Sequence, residues 1–169
     1  MGTKFVAIIM GSDSDLPTME KTFEVLKNFE IKYEVIVASA HRTPDVVADY
    51  VADAENRGCG VFIGAAGMAA HLAGAIAART TRPVIGVPCK GGIVDGVDAL
   101  YSTVQMPGGI PVATVAVGNA GAKNAGYLAA QILALSDDRL SAALKEDRKN
   151  AAEVIRQKNE ALQKKLNLN

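Results

Sequence analysis

The chain has 169 residues, 18 Lys and Arg against 18 Asp and Glu, and a formal net charge of zero. That balance excludes a global attraction to nucleic acid or to anionic membrane, so any anion must be bound locally. The length suits one domain over 1–169, with a core over about 4–135 and a last helix over about 138–166. The opening MGTKFVAIIMG is too short in apolar residues for a secretory signal, and no stretch reads as a membrane span, so the expected location is cytoplasmic.

The first apolar run, Phe5–Met10, is short, β-prone and followed by turn residues, as a strand buried on both faces is. It ends in Met10-Gly11-Ser12-Asp13-Ser14-Asp15, and a helix over Leu16–Asn28 starts at once, with Leu16, Met19, Phe23 and Leu26 on one stripe. Gly11 permits close backbone approach, Ser12 and Ser14 bring hydroxyls, and a helix N-terminus presents free N–H groups. The turn suits a phosphate cradle; the same residues also serve as ordinary helix caps. Neither the Walker nor the dinucleotide glycine spacing is present.

A second strand, Tyr33–Val37, leads into Ala38-Ser39-Ala40-His41-Arg42-Thr43-Pro44-Asp45. Thr43 is expected to cap a helix beginning at Pro44 and ended by Gly58, with Val46, Val47, Tyr50 and Val51 on its apolar face. Arg42 offers a fixed cation for an anion, and His41, one of two histidines, is suited to proton transfer near neutral pH. A third strand, Val61–Ala65, opens into Gly64-Ala65-Ala66-Gly67-Met68-Ala69-Ala70-His71-Leu72, where small residues would let a flat ring approach the backbone. The alanine-rich helix expected from about Gly67 to Arg79 would hold His71 one turn inside, either as a ligand-facing or as a packed histidine.

Strands at Pro83–Val87 and Val112–Val117 follow, joined by a glycine-rich connection over 89–111 that holds a helical piece at Val97–Val104. Connections this long in compact domains are commonly functional. A helix over Ala122–Leu135 reads apolar almost all round, as one sandwiched between neighbours would. The final helix carries Leu144, Ala151, Ile155, Leu162 and Leu166 on one side, for packing on its own domain or on a neighbouring subunit. Cys59 reads as a buried hydrophobe and Cys89 as a strand-end residue; their spacing matches no zinc pattern, so no metal site is expected. Alternating strands and helices give an α/β doubly wound parallel sheet, three layers deep and flavodoxin-like, with all strand C-termini on one edge. The first and second strands are then neighbours, and their loops should meet. A flavin or phosphoacceptor module is the rival reading, disfavoured because the third strand lacks an aspartate at its end and the first loop lacks a threonine-rich pattern.

MGSDSD at 10–15, SAHRTPD at 39–45, AAHLAG at 69–74 and GVDALYSTVQMPGGIPVATVAVG at 96–118 together resemble the N5-carboxyaminoimidazole ribonucleotide mutase family. Arg42 and His71 resemble its mutase branch rather than the branch that carboxylates aminoimidazole ribonucleotide directly with CO2. The chain departs from the usual Gly-Ala-Gly-Gly-Ala-Ala-His-Leu-Pro-Gly stretch by Ala65, Met68 and Ala73. The resemblance implies a homo-octamer with shared active sites, a ribonucleotide substrate, and no cofactor or metal. It implies His41 as the acid/base, Ser12, Ser14, Asp15, Ser39, Ala40 and Arg42 around the ribose phosphate, and Gly67, Met68, Ala69, His71 and Leu72 around the base and carboxylate. QMPGGIP at 105–111 is expected to complete the wall.

Overall fold

The computed structural model describes residues 4–167. Its elements in order are β1 (Phe5–Met10), a 3-10 turn (Asp13–Asp15), α1 (Leu16–Asn28), β2 (Tyr33–Val37), α2 (Pro44–Asn56), β3 (Cys59–Ala66), α3 (Leu72–Ala77), β4 (Val84–Pro88), α4 (Val97–Val104), β5 (Ala113–Thr114), α5 (Asn119–Ala134) and α6 (Asp138–Leu166). The five strands form one parallel sheet in the order β2-β1-β3-β4-β5, an α/β flavodoxin-like arrangement.

Strand alternation sorts the core into two layers. Val6, Ile8, Met10, Val61, Ile63, Ile85 and Val87 pack under α1, α5 and the start of α6. Phe5, Ala7, Ile9, Phe62 and Val84 pack on the opposite face against α2 and α3. Contact between α1 and α5 is close enough that a Cβ on Gly126 would lie 2.8 Å from Val25 Cβ. There Thr22 Oγ1 donates to Ala122 O at 2.7 Å in a buried site. No described helix is long and apolar enough to cross a membrane.

Several expectations need correction. The edge strands β2 and β5 are only partly buried, and β5 shrinks to two residues, because each has one hydrogen-bonded neighbour and one open side. Leu16 and Val46 sit in the first turns of their helices and are 41% and 49% exposed. Helix α5 begins at Asn119, before the expected start, with Gly118 at its N-cap. Helix α3 starts at Leu72 with His71 as its N-cap, so His71 is not inside the helix. Left-handed backbone at Met68 (φ 56°) is incompatible with a helix beginning at Gly67. The amides of Ala70 and His71 instead donate to Met68 O and Ala69 O, closing tight turns before the helix starts.

Candidate active site

Right-handed crossovers place every strand C-terminus on one edge, and the order 2-1-3 makes the β1/β3 junction the topological switch point. A cleft of about 660 Å³ lies there. Its walls are the loops after β1, β2, β3 and β4. All twelve residues singled out from the sequence line it: Ser12, Ser14, Asp15, Ser39, Ala40, His41, Arg42, Gly67, Met68, Ala69, His71 and Leu72.

The β1 loop is a closed capping box. Ser12 Oγ accepts from Ser14 N at 3.2 Å and from Ser14 Oγ at 2.8 Å, while Asp15 Oδ2 accepts from Ser12 N at 3.2 Å. An anion seated here must compete for donors that already have partners. Asp15 is 9% exposed, and burial raises its carboxyl above the usual carboxylate value, with the Cys89 thiol and the Ser12 amide opposing the rise. Cys89 lies beneath it; burial and then the Asp15 charge push that thiol up to about 12, which keeps it protonated. Cys89 therefore acts as a buried neighbour of the cleft floor and does not line the cleft.

The β2 loop folds on its own hydroxyls. Ser39 Oγ accepts from His41 N at 3.3 Å and from Arg42 N at 3.1 Å. Thr43 Oγ1 accepts from Ser39 N at 2.9 Å and donates to Ser39 O at 3.2 Å. Thr43 thus closes the loop instead of giving α2 the side-chain cap expected of it, because the same hydroxyl cannot also reach the helix amides. Arg42 Nη2 donates to Gly11 O at 3.3 Å, tying this loop to the serine turn and leaving its other donors for a ligand.

The β3 loop brings His71 to the same place. His41 Nε2 and His71 Nδ1 are 2.8 Å apart, with the rings edge to face at 76° and centroids 4.9 Å apart. One of those nitrogens must accept, so the contact holds at most one imidazolium and a single proton between the rings. Both histidines are solvent-accessible on the cleft side.

The sequence reading missed the β4 loop. Lys90, Gly91 and Gly92 line the cleft, whereas none of residues 105–111 is among its described lining. Met106 packs on α3 instead, its sulfur 3.1 Å from where a Cβ on Gly74 would stand. Of the long connection, only the first residues reach the cleft, because they leave β4 directly at the strand C-terminal edge. Among the described residues no three His, Cys, Asp or Glu gather as a metal-holding group.

Comparison with known proteins adds an independent line. Residues 5–164 match the AIR carboxylase family. An N5-carboxyaminoimidazole ribonucleotide mutase of Thermotoga maritima is 51% identical over 158 residues, 94% of this chain and 91% of that one. One from Bacillus subtilis is 50% identical over 157 residues, 93% and 97% respectively. The crystal structure of Treponema denticola PurE superposes with a TM-score of 0.85 at 32% identity, covering 94% of this chain and 98% of that one.

Proposed function

The chain belongs to the AIR carboxylase family, and on that premise we propose how its cleft isomerises N5-carboxyaminoimidazole ribonucleotide to 4-carboxyaminoimidazole ribonucleotide, the mutase step of purine synthesis named by its relatives. The observation that carries the mechanism is the His41–His71 contact of 2.8 Å beside the serine turn and Arg42. In the reaction the exocyclic N–C bond breaks, its electron pair stays on nitrogen, and that nitrogen takes a proton. The ring carbon then attacks the trapped CO2, forming the new C–C bond, and loses its own proton. One group that gives a proton and later takes one back returns to its starting state, as an isomerisation requires. His41 fills this role, and His71 orients its ring and shares the proton between Nε2 and Nδ1.

Arg42 and the hydroxyls of Ser12, Ser14 and Ser39 anchor the phosphate, with Asp15 on the ribose hydroxyls. Gly67, Ala69 and Leu72 frame the flat base, for which small residues at the turn leave room. We further place the enzyme in the cytoplasm as a homo-octamer whose subunits share active sites. Support for assembly comes from apolar side chains left open beside the cleft: Val97, Tyr101 and Val104 recur at helical spacing, 46%, 62% and 46% exposed, after Ile93 at 99%. The outer half of α6 adds Ile155, Leu162 and Leu166.

The rival activity within the same fold is direct carboxylation of aminoimidazole ribonucleotide. Supplying the carbamate substrate in bicarbonate-free buffer separates the two. Immediate formation of the 4-carboxy product supports the mutase, and product that appears only with bicarbonate assigns the other reaction.

A further inference from the structure

Met68 is the non-glycine residue of the cleft wall with left-handed backbone, at φ 56°. Such a conformation places an L side chain against its own backbone, and a protein keeps it only where the surroundings or the function demand it. Here it throws the Met68 side chain outward from between Gly67 and the small residues Ala69 and Ala70 that lead to His71. The side chain is 64% exposed, unlike the buried methionines Met10 and Met19 at 4% and 0%. It reaches toward the neighbouring β4 loop, its Cγ lying 3.5 Å from where a Cβ on Gly92 would stand. The amides that follow close back on Met68 O and Ala69 O and set His71 at the helix N-cap, so the thioether and the histidine pair are fixed by one turn. A methionine has three rotatable bonds and a polarizable sulfur that packs well on aromatic rings.

We propose that Met68 is the closing residue of the cleft: with substrate bound, its thioether folds over the imidazole and covers the site where CO2 is free between two bonds. This rests on the mutase reading above. CO2 leaves the exocyclic nitrogen with the electron pair retained there and a proton supplied to it, and must then meet the ring carbon before it meets water. A flexible apolar cover beside the reacting ring favours recapture by excluding solvent, a steric and hydrophobic task that needs no proton chemistry from Met68 itself.

The test follows the fate of the carboxyl carbon. Substrate labelled with 13C in the carbamate is turned over in unlabelled bicarbonate, and both label retention in the product and released aminoimidazole ribonucleotide are measured. M68G is expected to lose label and release the decarboxylated nucleotide several-fold more per turnover than the parent, while melting at or above the parent temperature because glycine tolerates the left-handed backbone. M68L, similar in volume and apolar, is expected to restore most of the retention. Retention in M68G equal to the parent's overturns the inference, as does leakage in M68L equal to that of M68G. Failure of the parent itself to convert the carbamate without bicarbonate instead removes the mutase reading on which the inference stands, so the two failures are distinguishable.

Discussion

The α1–α5 layer and the cleft edge are built on opposite plans within the same sheet. Under α1 and α5 the chain closes on itself with small buried residues: Ala122, Ala125 and Ala129 have no exposure, and Gly126 leaves no room for a Cβ against Val25. At the cleft edge the loops are held by short polar bonds among Ser12, Ser14, Asp15, Ser39 and Thr43, and the side chains of His41, Arg42 and His71 stay open to solvent. Rigidity at the edge is thus borrowed from the packed side. Backbone-to-backbone packing fixes the strand ends, so the loops can present polar groups without a core of their own.

The largest effect is expected on the packed side. A Cβ on Gly121 would run into Ala116 O, a backbone atom that cannot step aside. Gly121→Ala should therefore cost about 3 kcal/mol or more in urea unfolding, at the upper end of overpacking effects, whereas a cleft-edge substitution should leave the midpoint nearly unchanged. Arg42→Ala examines the other side: loss of a charge-assisted anchor should raise KM roughly 10- to 100-fold with a smaller change in kcat. Equal losses in kcat and kcat/KM would move Arg42 from anchoring to transition-state stabilisation. Thr22→Val, back in the packed layer, removes the hydrogen bond to Ala122 O and should cost about 1 kcal/mol.

The smallest effect concerns Asp15, whose carboxyl is raised chiefly by burial. A raised folded value means the folded state holds the proton more tightly, so stability from this group is full below the unfolded value of about 3.9 and is lost as pH climbs through the folded one. Asp15→Asn carries no charge to bury. Its stability relative to the parent should therefore rise across that window and stay level to neutral pH, by roughly a few degrees in Tm at most. Urea midpoints at about pH 3.5 and pH 7, either side of that window, measure it. A difference that shrinks with rising pH would refute the burial assignment.

Most of the architecture was legible because periodicity reports burial. Helices α1, α4 and α6 have the expected bounds, as do strands β1 and β2, since apolar residues recurring at the helical period or running continuously along a strand mark each of them, whether or not this chain alone covers that face. The cleft was legible for a different reason: strand order alone forces the Ser12 and His41 loops together once the sheet is parallel and right-handed. What escaped were features decided by local backbone chemistry. Nothing in an alanine-rich stretch announces that Met68 is left-handed and delays α3 to Leu72. Nor does spacing reveal that Thr43 prefers Ser39 to its own helix, or that Lys90 and not the 105–111 segment reaches the cleft.

If His41 moves the protons of the reaction from a cleft whose scaffold does not depend on it, then chemistry and folding should separate in His41→Asn. The decisive experiment is single-turnover conversion of the carbamate substrate by that variant, with enzyme in saturating excess over substrate and alongside its melting temperature. Turnover should fall roughly a hundredfold to ten-thousandfold, with substrate still bound and the melt within about 2 °C of the parent. Turnover within a few-fold of the parent would contradict the role given to His41.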